Sequence, residues 1–80
     1  MNHDPNELTQ EIIEIVKSVT RSDGVDRDSS TENLSQWDSL AYMSIISEIE
    51  IKYEVDVTEE NINSFDSIKS IVDIVLNKNK

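Results

Sequence analysis

One serine in this chain has the setting in which a side-chain hydroxyl could take part in chemistry. In Gln36-Trp37-Asp38-Ser39-Leu40 a polar stretch without periodicity gives way to helical spacing. Ser39 therefore falls in the first turn of a helix, with Asp38 as its cap. The unpaired N–H groups of a helix N-terminus favour anions, so a phosphate joined to Ser39 would be well placed electrostatically. Asp-Ser is equally an ordinary helix cap, and those two residues alone do not separate the alternatives. Hydrolysis with Ser39 as nucleophile would need a base. The only histidine, His3, lies in an N-terminal stretch with no periodic pattern, so a Ser-His-Asp arrangement is not expected. Asp23, Asp26 and Asp28 cluster in a loop, but their spacing misses the calcium-loop register and no glutamate closes a twelve-residue loop from Asp23 or Asp26. No metal site is expected. Cysteine is absent, which removes disulfides, thiolate zinc sites and a cysteine nucleophile.

The elements that must position Ser39 follow from periodicity. Asp4-Pro5-Asn6-Glu7 has a capping residue, a proline suited to the first helical position and a glutamate three residues after the cap. Leu8, Ile12, Ile15, Val16 and Val19 then mark one helical stripe, which predicts a helix over about 5–20, ended by Arg21-Ser22-Asp23-Gly24. Residues 21–37 show no period and read as a long loop, anchored by Val25, Leu34 and Trp37. A second helix is predicted over about 39–53, its core stripe made of Tyr42, Ile46, Ile49 and Tyr53 with Ile45 beside it. Thr58-Glu59-Glu60-Asn61 predicts a short capped helix over about 58–63, and Ile68, Ile71, Val72, Val75 and Leu76 a last one over about 66–77. Asn77-Lys78-Asn79-Lys80 reads as a frayed tail. Eighteen of the apolar residues are Ile or Val, which favour strands, but helical spacing in three segments outranks that propensity. The expected fold is all-α: a four-helix bundle of three main helices and one short one, in a single domain over residues 1–80.

Composition narrows the function. Eighty residues leave little material to wall a multi-substrate pocket. Leu, Ile, Val and Phe account for 23 of the 80 residues, above the level of about 20% below which a highly charged chain is usually unfolded. The net charge is −10, and it is concentrated between residues 22 and 68, where twelve acids face two bases. That field repels nucleic-acid phosphates and anionic membranes and attracts basic protein surfaces. No apolar run approaches a membrane span. Met1-Asn2-His3-Asp4-Pro5 lacks the basic and apolar regions of a signal peptide, so a cytoplasmic location is expected.

Across residues 5–77 the chain resembles the acyl carrier protein family, which includes the peptidyl and D-alanyl carriers. The resemblance rests on Asp38-Ser39-Leu40 opening the second helix after a long loop with Leu34 upstream. It continues through Ile45, Ile46, Ile49 and Tyr53, the acidic turn from Glu54 to Glu60, and Phe65-Asp66-Ser67-Ile68-Lys69-Ser70-Ile71. It implies that Ser39 is esterified by 4′-phosphopantetheine, delivered from coenzyme A by a phosphopantetheinyl transferase, and that Asp38 belongs to the transfer geometry. The thiol of that arm would carry an acyl or aminoacyl group as a thioester. The protein would then be a monomeric carrier and not an enzyme. Its partners would be an acyl- or aminoacyl-activating ligase and a downstream acyltransferase or synthase.

Two departures bear on the pathway. Gln36-Trp37 stands where many fatty-acid carriers have Gly-Ala. The partner side of helix two, usually strongly acidic in those carriers, has Ala41, Ser44 and Ser47, with Glu48 and Glu50 farther along and apolar Ile51 beyond them. The resemblance thus points to a specialised biosynthetic pathway, with Leu40, Met43, Ser44, Ser47, Glu50 and Ile51 as partner contacts. The alternative from another class is a small acidic helical adaptor that binds a basic partner without a prosthetic group, Leu40 and Met43 being its docking patch.

Overall fold

The computed structural model describes residues 4–77; His3 and the tail lysines Lys78 and Lys80 lie outside the described residues. The architecture is all-helical, as expected. Helix α1 spans Pro5–Thr20, α2 Ser39–Tyr53 and α3 Ile68–Asn77, with one 3-10 turn at Ile62–Ser64 between α2 and α3. Helix α1 packs against both other helices. Leu8, Ile12, Val16, Ile45, Ile49, Phe65, Ile68 and Ile71 are fully buried where the three meet. Tyr53, at the end of α2, donates to Glu11 of α1 at 2.7 Å. Burial, then that hydrogen bond and the charge of Glu11, push the Tyr53 phenol well above its ordinary value, so it stays a neutral donor.

The helix ends show where local chemistry overrode pattern. Asp4 caps α1 by accepting the Asn6 N–H at 2.9 Å. The helix stops at Thr20 because Arg21 turns into the left-handed region (φ 57°), its N–H bonding the Lys17 carbonyl at 2.7 Å. Gly24, the expected breaker, does not have a positive φ. Glu54 ends α2 in the same left-handed way, at φ 54°.

The short helix expected over 58–63 is instead a turn followed by the 3-10 segment. The Asn61 side chain accepts the Thr58 N–H at 2.8 Å, and its amide donates to the Asp56 carbonyl at 3.0 Å. Thr58 caps as expected, its hydroxyl accepting the Asn61 N–H at 3.3 Å, so the two side chains close a reciprocal cap on a single turn that passes into the 3-10 segment. The loop before α2 uses the same device. Asn33 accepts the Ser30 N–H and donates to the Asp28 carbonyl, both at 2.9 Å. Asn61→Ala is expected to cost about 0.5–1 kcal/mol, the net worth of the lost hydrogen bonds at an exposed turn where water can replace them, and a denaturant titration would read it. A cost near zero would show that the turn is held by its neighbours.

Helix α3 begins at Ile68, two residues later than predicted, because Ser67 is held in an extended bridge with Ser30. Thr31 donates to the Asp66 carbonyl at 2.9 Å and Ile68 to the Ser29 carbonyl at 3.1 Å. The 21–37 loop is thereby stitched to the start of α3. Val25 and Trp37 anchor it as expected, and Leu34 is half-buried.

Ion pairs offset little of the acidity. Lys17–Glu14 at 3.8 Å and Lys69–Asp28 at 3.1 Å join largely exposed groups, and such pairs contribute about 0–1 kcal/mol. Raising salt from about 0.01 M to about 0.1 M shortens the Debye length from about 30 to about 10 Å. The melting temperature is therefore expected to rise over that range. An unchanged value would mean that the acids are compensated locally.

Candidate functional site

Three consecutive residues at the loop–helix junction face three different ways. Trp37 is only 3% exposed, and its backbone N–H donates to the Leu34 carbonyl at 3.0 Å. Asp38 follows in extended conformation and caps α2. Its carboxylate accepts the Ala41 N–H at 3.0 Å and its carbonyl the Tyr42 N–H at 2.8 Å. Ser39, the first residue of the helix, is exposed. Asp38 occupies two of the first-turn N–H groups, which leaves those of Ser39 and Leu40 at the open end of a 15-residue helix. An oxygen on Ser39 would carry a phosphate into that positive end.

The loop that delivers Ser39 is ordered by its own polar residues. Asp26 accepts the Asp28 N–H at 2.9 Å, buried Ser29 accepts the Asp26 N–H at 2.9 Å, and Asp28 pairs with Lys69. Asp26 and Asp28 thus serve a turn and an ion pair. Among the described residues no group of carboxylates or histidine is arranged to hold a metal ion.

Beyond Ser39, the exposed side of α2 carries Leu40, Met43, Ser44, Ser47, Glu50 and Ile51. At about 100° per residue these six fall within an arc of about 120°. Leu40 and Ile51 are 82% and 78% exposed. The six expected contact positions therefore share one solvent face, uncharged from Ser39 to Ser47. Ala41 does not belong to that face. It is 7% exposed and joins the core, because it lies on the flank of the helix nearer to Ile45 and Ile49.

Tyr42 has a role that its place on the apolar stripe did not reveal. Its hydroxyl donates to the Ile62 carbonyl, tying the first turns of α2 to the 3-10 segment. Burial raises its pKa, opposed by a backbone hydrogen bond at Phe65 and assisted by the charge of Asp66. With Thr31, Trp37, Asp38, Ser39 and Met43 it lines an open groove beside the serine. The two asparagine-held turns were likewise missed. Their signal was present as one spacing used twice, Asp28-x-Ser30-x-x-Asn33 and Asp56-x-Thr58-x-x-Asn61.

The family model described as the phosphopantetheine attachment site matches residues 10–75. The chain therefore belongs to that family, the acyl carrier proteins, and is a phosphopantetheine-carrying carrier protein with covalent 4′-phosphopantetheine as its prosthetic group. Comparison with curated proteins and with solved structures gives no match. No described helix is long and apolar enough to cross a membrane.

Proposed function

We propose that Ser39 is the residue that carries the arm and that the protein is a dedicated carrier in a specialised pathway, itself without catalytic activity. The observation that supports attachment at Ser39 is its exposed hydroxyl at the open, Asp38-capped N-terminus of α2, inside the span matched by the family model. When bound, the group supplies a thiol that holds an acyl or aminoacyl cargo as a thioester. The chain's own part is to present that serine on a rigid junction and to offer partner enzymes the α2 face. Incubation with coenzyme A and a phosphopantetheinyl transferase should add one phosphopantetheinyl group, mapped by mass spectrometry to Ser39. A folded protein that takes up nothing from a broad-specificity or cognate transferase would favour the adaptor alternative.

The uncharged stretch of that face supports the specialised pathway. Enzymes built for an acidic helix would lose the charge pairs that speed encounter and set register. Apolar contacts at Leu40, Met43 and Ile51 would then contribute more of the binding to the true ligase and downstream acyltransferase or synthase. Holo protein should be a poor substrate for fatty-acid synthase enzymes, and Ser44→Glu with Ser47→Glu should improve it there. Ala41 is not the place for such a charge, since it is buried. Met43→Ala should weaken loading by the cognate ligase about tenfold, above the level of about 1 kcal/mol that marks a contributing contact but short of a hot spot, and Glu50→Ala less. Elongation of the wild type as efficient as that of a housekeeping carrier would refute the dedicated role.

A further inference from the structure

The exposed face of α2 has relief. Side chains three apart on a helix form parallel rows inclined about 45° to its axis. Leu40 and Met43, 82% and 55% exposed, make one such row. Glu48 and Ile51, both exposed, make the next row but one. Between them run Ala41, Ser44 and Ser47, three small side chains, with Glu50 closing the row. The face is therefore a trough between two ridges and not a flat patch. Its walls carry all three of the exposed large apolar side chains among the described residues. Such side chains gathered on one face mark an interaction site more than scattered ones do. The acids at the Ile51 end are also uncompensated: among the described residues the ion pairs are Lys17–Glu14 and Lys69–Asp28, and neither Glu48 nor Glu50 has one.

We propose that this trough seats a single α-helix of the ligase that loads the arm, and that Ser44 and Ser47 act by being small. The inference rests on the dedicated-carrier reading and specifies what the α2 face receives. A helix enters a trough of this kind with a row of side chains four apart, the pairing that sets two helix axes at about 20°. Helical ridges and troughs interlock over several residues, whereas a strand turns every second side chain away. The entering row is apolar, because Leu40, Met43 and Ile51 wall the trough. Basic residues flank it, because Glu48 and Glu50 stand unpaired on a chain of net charge −10. Ser44 lies about 7.5 Å along the axis from Ser39, at about 1.5 Å per residue. A helix seated there holds the ligase at a fixed distance from the attachment serine.

Filling the trough without charging it tests this. Ser44→Leu and Ser47→Leu add apolar surface, while Ser44→Ala with Ser47→Ala removes both hydroxyls and keeps the trough open. All would be converted to holo protein, with intact mass confirming the arm, and compared in loading by the activating ligase that loads the wild type. Both serines are exposed, so the melts should stay close to that of the wild type. Each leucine variant should lower kcat/KM about tenfold or more, because interface cores are packed as closely as interiors and tolerate overfilling as poorly. The alanine pair should stay within about twofold. Leucine variants loaded as well as the wild type, or better, overturn the trough, since a partner that reads only apolar area gains from them. An alanine pair as impaired as the leucines also overturns it, because the hydroxyls would then be the contact. A photoreactive label on Glu48→Cys is unique in a chain without cysteine, provided it is added before the arm. It should cross-link the ligase on one helix, and cross-links confined to a strand or loop overturn the helical occupant. Failure of attachment shows separately, as no mass gain at Ser39.

Discussion

Ser39→Ala is expected to abolish the phosphopantetheinyl mass gain completely while the protein remains folded. The loss is total because the hydroxyl oxygen is the atom that would be esterified, and no nearby group replaces it chemically. The fold should survive because Ser39 is exposed at the first position of α2, where its side chain supports no core contact. Substitutions at such surface sites usually stay within about 0.5 kcal/mol. Asp38→Ala provides the contrast. It removes the bond to the Ala41 N–H and should cost about 1 kcal/mol through loss of the cap. Modification should slow with that variant but not vanish. Intact-mass measurements on both, beside thermal melts, separate the attachment atom from the residue that orients it. Full modification of Ser39→Ala would show that the arm is attached elsewhere.

Phe65→Ala should have the largest effect on stability. Phe65 is fully buried and heads the largest such side chains, in the segment that joins the 3-10 turn to α3. Truncating a buried phenylalanine costs about 3–5 kcal/mol through lost transfer energy and the cavity left behind. A domain this small has a stability toward the lower end of about 5–15 kcal/mol. The melting temperature should therefore fall by roughly 12–40 °C, at about 4–8 °C per kcal/mol for a domain of this size. The damage should reach the site, because the neighbouring Ile62 carbonyl is the acceptor that ties Tyr42 and the start of α2. Leu40→Ala, at 82% exposure, should leave the melt nearly unchanged. A loss below about 1 kcal/mol for Phe65→Ala would mean that the segment is not anchored there.

The candidate site was legible where its logic is local. Asp38 as cap and Ser39 as an exposed first residue follow from residue type and the onset of periodicity, and both are found there. The exposed face of α2 was legible in part. Leu40, Met43, Ser44, Ser47, Glu50 and Ile51 do share a side, but Ala41 was grouped with them although the core takes it. The reason is that α2 is apolar on both sides, so its sequence marks no sharp boundary between core and surface. An alanine near that boundary is small enough to go either way, and only the approach of a neighbouring helix settles it.

The sequence by itself determined three helices, because apolar residues at helical spacing are buried together whatever the neighbouring detail. It determined the junction at residues 37–39 because caps act over three or four residues. Tertiary structure decided what depends on partners distant in the chain. Residues 66–67 stay out of α3 because the 21–37 loop, more than thirty positions upstream, claims the Asp66 carbonyl and the Ile68 N–H on either side of Ser67. Residues 58–61 make one capped turn, Thr58 and Asn61 bonding each other's N–H, and the chain then tightens into the 3-10 segment instead of continuing as an α-helix. Tyr42 becomes a tie to Ile62 only when the chain returns past α2 after twenty residues. Trp37 was readable as an anchor from its type, but that its indole N–H lacks an acceptor is a property of every atom around it, which no local pattern encodes.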